Sequence, residues 1–190
     1  MNEIKDGYVR VTEVLSPFSG LSKIPAEILK NACIRGTAIH EYADAVIDGL
    51  IDNVLPDNCN PNWEGYYQSF LAWECRKKFL NKPGRLYCED HLICGEIDGI
   101  YKNDDEVVLF DLKTPLREGK TWNLQLSAYH HLCAKNSIKI DRIVAVKLDK
   151  SGKFPSIFEY EIDFNSYIDC LNIYNKFFKT KKEDLHLDYL

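Results

Sequence analysis

The chain has 190 residues, a formal net charge of −5 and 45% hydrophobic residues, enough apolar side chain to close a core and too much for intrinsic disorder. No apolar run approaches the ~18 residues that span a bilayer, and the first twenty residues lack the continuous apolar stretch of a secretory signal. The broad basic excess of many nucleic-acid binders is absent as well, so bulk charge alone points to a soluble enzyme and away from DNA.

One domain over 1–190 is expected, with a helical part to about residue 82, a sheet-bearing core over about 84–163 and a C-terminal helix over about 164–180. Thr12 is placed to cap a short turn through Glu13-Val14-Leu15. Pro25 suits the first position of a helix running towards Leu50, whose apolar residues Ile28, Leu29, Ala32, Ile39, Ala43, Val46 and Ile47 keep helical spacing. Gly36 interrupts that helix, as a kink or a point of close backbone approach. After a loop with Pro56 and Pro61, Trp63 to Leu80 reads as a second helix. Its aromatics Trp63, Tyr66, Tyr67 and Trp73 read as core, with a base-stacking platform as the other possibility.

The pattern changes after Lys82-Pro83-Gly84. Arg85–Cys94, Glu96–Lys102 and Glu106–Lys113 are short and β-prone, with a turn signal at Asn103-Asp104-Asp105, and suggest three strands of an antiparallel meander. Trp122–Ala134 reads as a helix, Ile140–Leu148 and Ser156–Ile162 as strands, and Asp163 or Asn165 can cap a last helix through about Phe178. The order predicts an α+β (or α/β) domain with a central mixed sheet of about five strands flanked by helices.

The seven cysteines show no C-x-x-C pair, which speaks against zinc ribbons and redox pairs and for buried thiols in a reducing cytoplasm. The basic clusters Arg76-Lys77-Lys78 and Lys176, Lys179, Lys181 and Lys182 are either phosphate-attracting patches or solvated helix ends. His130 and His131 adjoin Tyr129 in sequence but face away from it on a helix, as structural or solvent-facing residues.

Chemistry concentrates in one stretch. Period-2 geometry puts Asp111 and Lys113 on one face of a strand, about 6–7 Å apart, with Leu112 turned to the opposite face beside Val108 and Phe110. A hairpin can fold Asp98 back beside Asp111. Two converging carboxylates repel unless a divalent cation lies between them, and hard oxygen ligands favour Mg²⁺ or Mn²⁺. Lys113 beside such a metal can orient or deprotonate a water and stabilise charge on a phosphate. Glu89, in the strand before Asp98, is a further candidate ligand or an ordinary strand acid; Glu96 shares the face of Asp98. A spacing of four puts Gln125 and Tyr129 on one helical face.

Taken in order, Gly36-Thr37-Ala38-Ile39-His40, Gly95-Glu96-Ile97-Asp98-Gly99, Asp111-Leu112-Lys113-Thr114 and Gln125-Leu126-Ser127-Ala128-Tyr129 resemble the motifs of the RecB-like branch of the PD-(D/E)XK nuclease superfamily, over about residues 9 to 148. The resemblance implies a restriction-endonuclease-like core and a Mg²⁺- or Mn²⁺-dependent deoxyribonuclease, in the first place an exonuclease acting on DNA ends or single strands in repair, recombination or phage DNA processing. It implies a bacterial or phage-encoded cytoplasmic protein. It assigns Asp98, Asp111, His40 and the backbone carbonyl of Leu112 to one or two metal ions, Lys113 to the reacting water, and Gln125 and Tyr129 to support of the centre and contact with the nucleic-acid backbone. The late cysteines Cys133 and Cys170 do not match the iron–sulfur subgroup, so no cluster is expected. The chain has no P-loop, so a helicase, recombinase or single-strand-binding partner would be a separate chain. Two alternatives stand beside this: a non-catalytic nucleic-acid-binding or assembly subunit on the same fold, and a structure-specific endonuclease.

Overall fold

A computed structural model describes residues 4–52, 54–56, 59–75 and 77–179. In chain order the elements are β1 (Val9–Arg10), α1 (Val11–Leu15), two single-turn 3₁₀ segments (Ser16–Phe18 and Leu21–Lys23), α2 (Ala26–Ile47), α3 (Glu64–Glu74), β2 (Lys78–Phe79), β3 (Leu86–Cys88), β4 (Ile93–Gly95), β5 (Gly99–Asn103), β6 (Glu106–Lys113), α4 (Trp122–Lys135), β7 (Arg142–Lys147), β8 (Ser156–Tyr160) and α5 (Phe164–Phe177). The fold is α+β. A five-stranded mixed sheet runs β2-β5-β6-β7-β8, and a smaller sheet runs β1-β4-β3.

The central strand β6 pairs antiparallel with β5 and parallel with β7. Its alternation divides two cores. Val108, Phe110 and Leu112 pack with Ile39, Tyr42, Phe70 and Trp73 of α2 and α3 on one face. Leu109 packs on the other with Leu126 and Leu132 of α4 and Tyr167 and Leu171 of α5. A strand buried on both faces loses the polar alternation of a surface strand, which is why the run Val107-Val108-Leu109-Phe110 is apolar throughout. The aromatics Tyr66, Tyr67 and Trp73 are core residues, with Trp63 packed at the edge of the same cluster.

Four expected elements differ. The proposed 85–94 strand is a hairpin, β3 and β4, turned through Glu89–Leu92, with Leu92 at φ 52°. The meander is also broken: β4 belongs to the small sheet and β5 to the large one, so Glu96-Ile97-Asp98 is a crossing between sheets. The helix from Trp63 stops at Glu74 because Lys78–Phe79 pairs with Lys102 and Tyr101 at the sheet edge. Thr12 lies inside α1, whose capping residue is Arg10 and carries no side-chain cap. Asp163 does cap α5, accepting a hydrogen bond from the Ser166 amide at 3.1 Å. Arg76, Lys181 and Lys182 lie outside the described residues, while Lys179 is exposed.

The helix α2 continues unbroken through Gly36, and no heavy atom lies within 4 Å of a Cβ built there. Its buried positions are Ile39, Tyr42, Ala43 and Val46, all in its second half; Ile28 and Ile34 are exposed. The first turns therefore extend beyond the core they were expected to cover. Among the cysteines, Cys88, Cys94 and Cys133 are buried, but Cys33 and Cys75 are exposed. His131 is structural, stacked on Phe164 with ring centroids 3.7 Å apart.

Both glycines of the Gly95–Gly99 segment are required by close approach. A Cβ on Gly95 would lie 2.6 Å from Tyr129 Cε1 and 3.2 Å from Leu132 Cδ1, and one on Gly99 would lie 2.6 Å from the Phe110 ring. Gly95→Ala forces the Tyr129 ring off its position and should cost about 1–3 kcal/mol, as overpacking does. The expected readout is a lower urea midpoint with an unchanged slope; an unchanged midpoint would contradict this packing.

Candidate active site

The crossing between sheets positions Asp98. It lies one residue before β5, where Gly99 pairs with Phe110, so its side chain reaches past the end of β5 to the last residues of β6. There Asp98 Oδ2 accepts a hydrogen bond from the Leu112 amide at 2.6 Å. Successive strand residues direct their backbone groups to opposite sides. The Lys113 carbonyl accepts from Leu148 on the β7 side, so the Leu112 carbonyl points to the side of Asp98.

The two layers of helices meet this strand end from opposite faces. From α2, His40 Nδ1 lies 3.0 Å from Asp98 Oδ1. From α4, Gln125 Nε2 donates to Asp111 Oδ1 at 2.8 Å and lies 3.3 Å from the Tyr129 hydroxyl. Lys113 Nζ donates to Gln125 Oε1 at 2.8 Å and lies 2.6 Å from Asp111 Oδ2. That last contact is an ion pair without hydrogen-bond alignment, so Asp111 Oδ2 is a buried oxygen with no aligned donor. His40, Asp98, Asp111, Lys113, Gln125 and Tyr129, fixed on four different elements, thus form one connected network.

The electrostatics are those of two largely buried acids faced by two cationic groups. Burial opposes a charged imidazole at His40, but the charge and hydrogen bond of Asp98 outweigh it and push its pKa up to about 9. Burial likewise works against charge on Asp98, yet His40, the Leu112 amide and Lys113 hold it below the usual carboxylate range. Asp111, only 3% exposed, is raised by burial and by the charge of Asp98, against the pull of Lys113. Burial and the nearby Asp111 charge raise Tyr129, so its hydroxyl stays protonated.

Two carboxylates and an imidazole are a suitable donor set for Mg²⁺ or Mn²⁺. Among the described residues no three His, Cys, Asp or Glu side chains already converge in ligating geometry; the ammonium of Lys113 and the ring of His40 are the counter-charges to the two acids.

Glu89 is not brought to this network. It is exposed in the β3–β4 turn, next to Asp90, which pairs with Lys135 at the C-terminal end of α4. Ten residues of helix, about 15 Å at 1.5 Å per residue, separate Lys135 from Gln125. Glu96 turns instead to Arg85, 2.6 Å away. Two residues that sequence spacing did not single out adjoin the centre. Arg35 of α2 lies 3.5 Å from the Thr114 hydroxyl and over the Tyr66 ring, with its Nε buried and unbonded. The Trp122 ring lies 5.7 Å from Lys113 Nζ. Arg35 lies five residues before His40 on α2 and Trp122 three before Gln125 on α4, so helical spacing to those two residues is the signal that could have found them.

No family model matches the chain, and no curated protein does. Among solved structures it is similar to one described as the crystal structure of SSO0001, at 16% identity and a TM-score of 0.43, covering 99% of this chain and 84% of that one. No helix among the described residues is long and apolar enough to cross a membrane.

Proposed function

We propose that the chain is a metal-dependent deoxyribonuclease of the PD-(D/E)XK type, an exonuclease hydrolysing phosphodiester bonds at DNA ends or in single strands. The observation that carries this reading is the closed network of Asp98, Asp111, Lys113 and Gln125 at the end of β6, with His40 added from the opposite layer. Chance placement of a D-x-K pair on a strand gives a solvated surface ion pair; here Asp111 is buried, Lys113 is half-buried and both are held by the same glutamine.

Asp98, Asp111, His40 and the Leu112 carbonyl would hold Mg²⁺ or Mn²⁺, which when bound lowers the pKa of water and neutralises charge on a phosphate. Hydrolysis adds one water across a P–O bond: its oxygen bonds to phosphorus, and a proton ends on the departing hydroxyl. No oxidant or reductant is involved. Lys113 is a cationic donor with three N–H groups. Gln125 takes one of them and Asp111 is held as an ion pair, so N–H capacity remains for the incoming water or a phosphate oxygen. Gln125 acts on both partners, donating to Asp111 while accepting from Lys113, and so fixes their separation. The protonated Tyr129 hydroxyl closes that chain of hydrogen bonds behind Gln125.

Gln125→Ala should therefore lower kcat about 10- to 100-fold, the usual effect of removing a residue that orients a metal ligand. KM should change little, because Gln125 acts on the reacting groups and not on the strand. A loss confined to KM, measured with saturating metal, would contradict that role.

The test of the proposal is cleavage of end-labelled linear single-stranded and duplex DNA with Mg²⁺, with Mn²⁺ and with chelator. Release of mononucleotides or short products that chelator stops is the expected result, with closed circular single strands left intact. Cutting of the circle would change the assignment to an endonuclease. Binding of DNA without cleavage in either metal would overturn the catalytic reading and leave a binding subunit.

A further inference from the structure

Arg35 is a cation beside the reactive network that the mechanism leaves unused. It stands on α2 five residues before His40, about 7.5 Å along the axis at 1.5 Å per residue. Its guanidinium reaches the end of β6, where Nη2 lies 3.5 Å from the hydroxyl of Thr114, the residue after Lys113. Cζ stands 5.2 Å from the centroid of the Tyr66 ring, and that ring is buried in the core. Tyr66 and Thr114 therefore hold the group without neutralising it. The contrast is with Arg85, which meets Glu96 at 2.6 Å, and Arg142, which meets Glu106 at 3.1 Å and Glu159 at 2.5 Å. Among the described residues no carboxylate lies within ion-pair distance of Arg35. Its Nε is buried without a hydrogen-bond partner, whereas buried donors are nearly always bonded. His40 and Lys113 each have an acid of their own, Asp98 and Asp111.

We propose that Arg35 binds a phosphate of the substrate strand, one or two nucleotides away from the scissile one. The inference rests on the nuclease reading and adds a substrate-binding residue to it. Phosphate is the anion a DNA strand supplies, and the planar N–H fork of a guanidinium matches two of its oxygens. The outer Nη edge is the side that meets it, since Nε faces inward and Nη2 has only the long contact to Thr114. The axial offset from His40 covers one or two steps of a strand that rises about 3.4 Å per nucleotide when stacked. A phosphate seated on Arg35 thus sets which phosphate lies at Asp98 and Asp111. Such a contact positions the strand without reading its bases. Because Tyr66 already holds the guanidinium, little further ordering is needed on binding.

The test compares the whole wild-type chain with Arg35→Gln by fluorescence anisotropy of a labelled oligothymidylate, in chelator and over a series of KCl concentrations. The variant should bind roughly 10-fold more weakly or worse, as expected for loss of hydrogen bonds to a charged group. The slope of log affinity against log salt should shrink by about 0.7, the share of one phosphate on a single strand. Oligodeoxyadenylate should lose affinity by the same factor, because the contact is to the backbone. In hydrolysis with saturating Mg²⁺ the loss should appear in KM, with kcat little changed. Arg35→Lys keeps the charge and lacks the fork, so it should restore the salt slope and only part of the affinity. It also serves if the glutamine variant does not fold. Affinity equal to wild type in either variant, or a slope that glutamine leaves in place, would overturn the proposal. So would a lowered urea midpoint with an unchanged slope, the result of a role confined to packing on Tyr66. Hydrolysis at the wild-type KM by Arg35→Gln would remove the phosphate contact and keep the nuclease. Binding that Arg35 governs, with no hydrolysis in Mg²⁺ or Mn²⁺, would remove the nuclease reading and keep the contact. A wild-type chain that neither binds nor cuts the probe would overturn both.

Discussion

Asp111→Asn should reduce Mg²⁺-dependent hydrolysis by about 10³-fold or more while leaving the chain folded. The magnitude is that of removing a group whose charge is matched to the reacting centre. Asparagine keeps the shape of the side chain and can still accept from Gln125 Nε2, which lies 2.8 Å from Asp111 Oδ1 in the wild type. What it loses is the negative charge facing Lys113 at 2.6 Å, and with it one of the two anionic ligands proposed for the metal. Stability should move little, because two changes oppose each other. The substitution removes a charge that burial disfavours, and it leaves the Lys113 ammonium without its ion-pair partner. A thermal midpoint within a few degrees of wild type, together with lost cleavage, is the expected pair of results. Undiminished cleavage by this variant would remove Asp111 from the mechanism.

Phe110→Ala should have the opposite profile, a severe loss of stability of about 3–5 kcal/mol, as for truncating a large aromatic in a close-packed core. Phe110 is fully buried on β6, one residue before Asp111. Its ring lies 5.1 Å from Trp73, 5.8 Å from Phe79 and 6.0 Å from Tyr101, so the deletion opens a void walled by three fixed aromatics. Domains of this size are stable by only about 5–15 kcal/mol, so the variant approaches the threshold of folding. Ile157→Ala serves as the comparison, since Ile157 is 42% exposed on β8 and its loss should stay near 0.5 kcal/mol. Denaturant titration of the two variants separates the outcomes; similar losses for both would contradict the placement of the aromatic core.

These two expectations sit on adjacent residues of one strand, and that strand is where the sequence was most legible. Glu106–Lys113 has the bounds expected for it, because its apolar run, its turn signal and the terminal Asp-x-Lys all agree. The helix carrying Gln125 and Tyr129 was equally clear, ending one residue later than expected, since a spacing of four on an amphipathic helix leaves little freedom. The crossing at Glu96-Ile97-Asp98 was not legible. A strand that continues and a strand that leaves one sheet for another share the same alternation, and only pairing partners distinguish them. The same limit turned Glu89 from a strand position into an exposed hairpin turn. The end of α3 was hidden because aromatic spacing continues through Phe79, although that residue pairs in the sheet.

The acidic net charge reads differently beside the proposed site. It argued against DNA as a partner, yet a divalent cation bound by Asp98 and Asp111 would add positive charge where phosphate approaches. An acidic chain of this kind would engage DNA through a confined groove, and its binding would depend on metal as well as on salt.

The central claim is that this centre is a cation site, and titration of Mn²⁺ followed by the electron paramagnetic resonance signal of the free ion tests it most directly. The wild-type chain should take up one or two ions, and Asp98→Ala and Asp111→Asn should each release Mn²⁺ at concentrations where the wild type retains it. Mn²⁺ left free by the wild-type chain, or retained equally by both variants, would contradict the account.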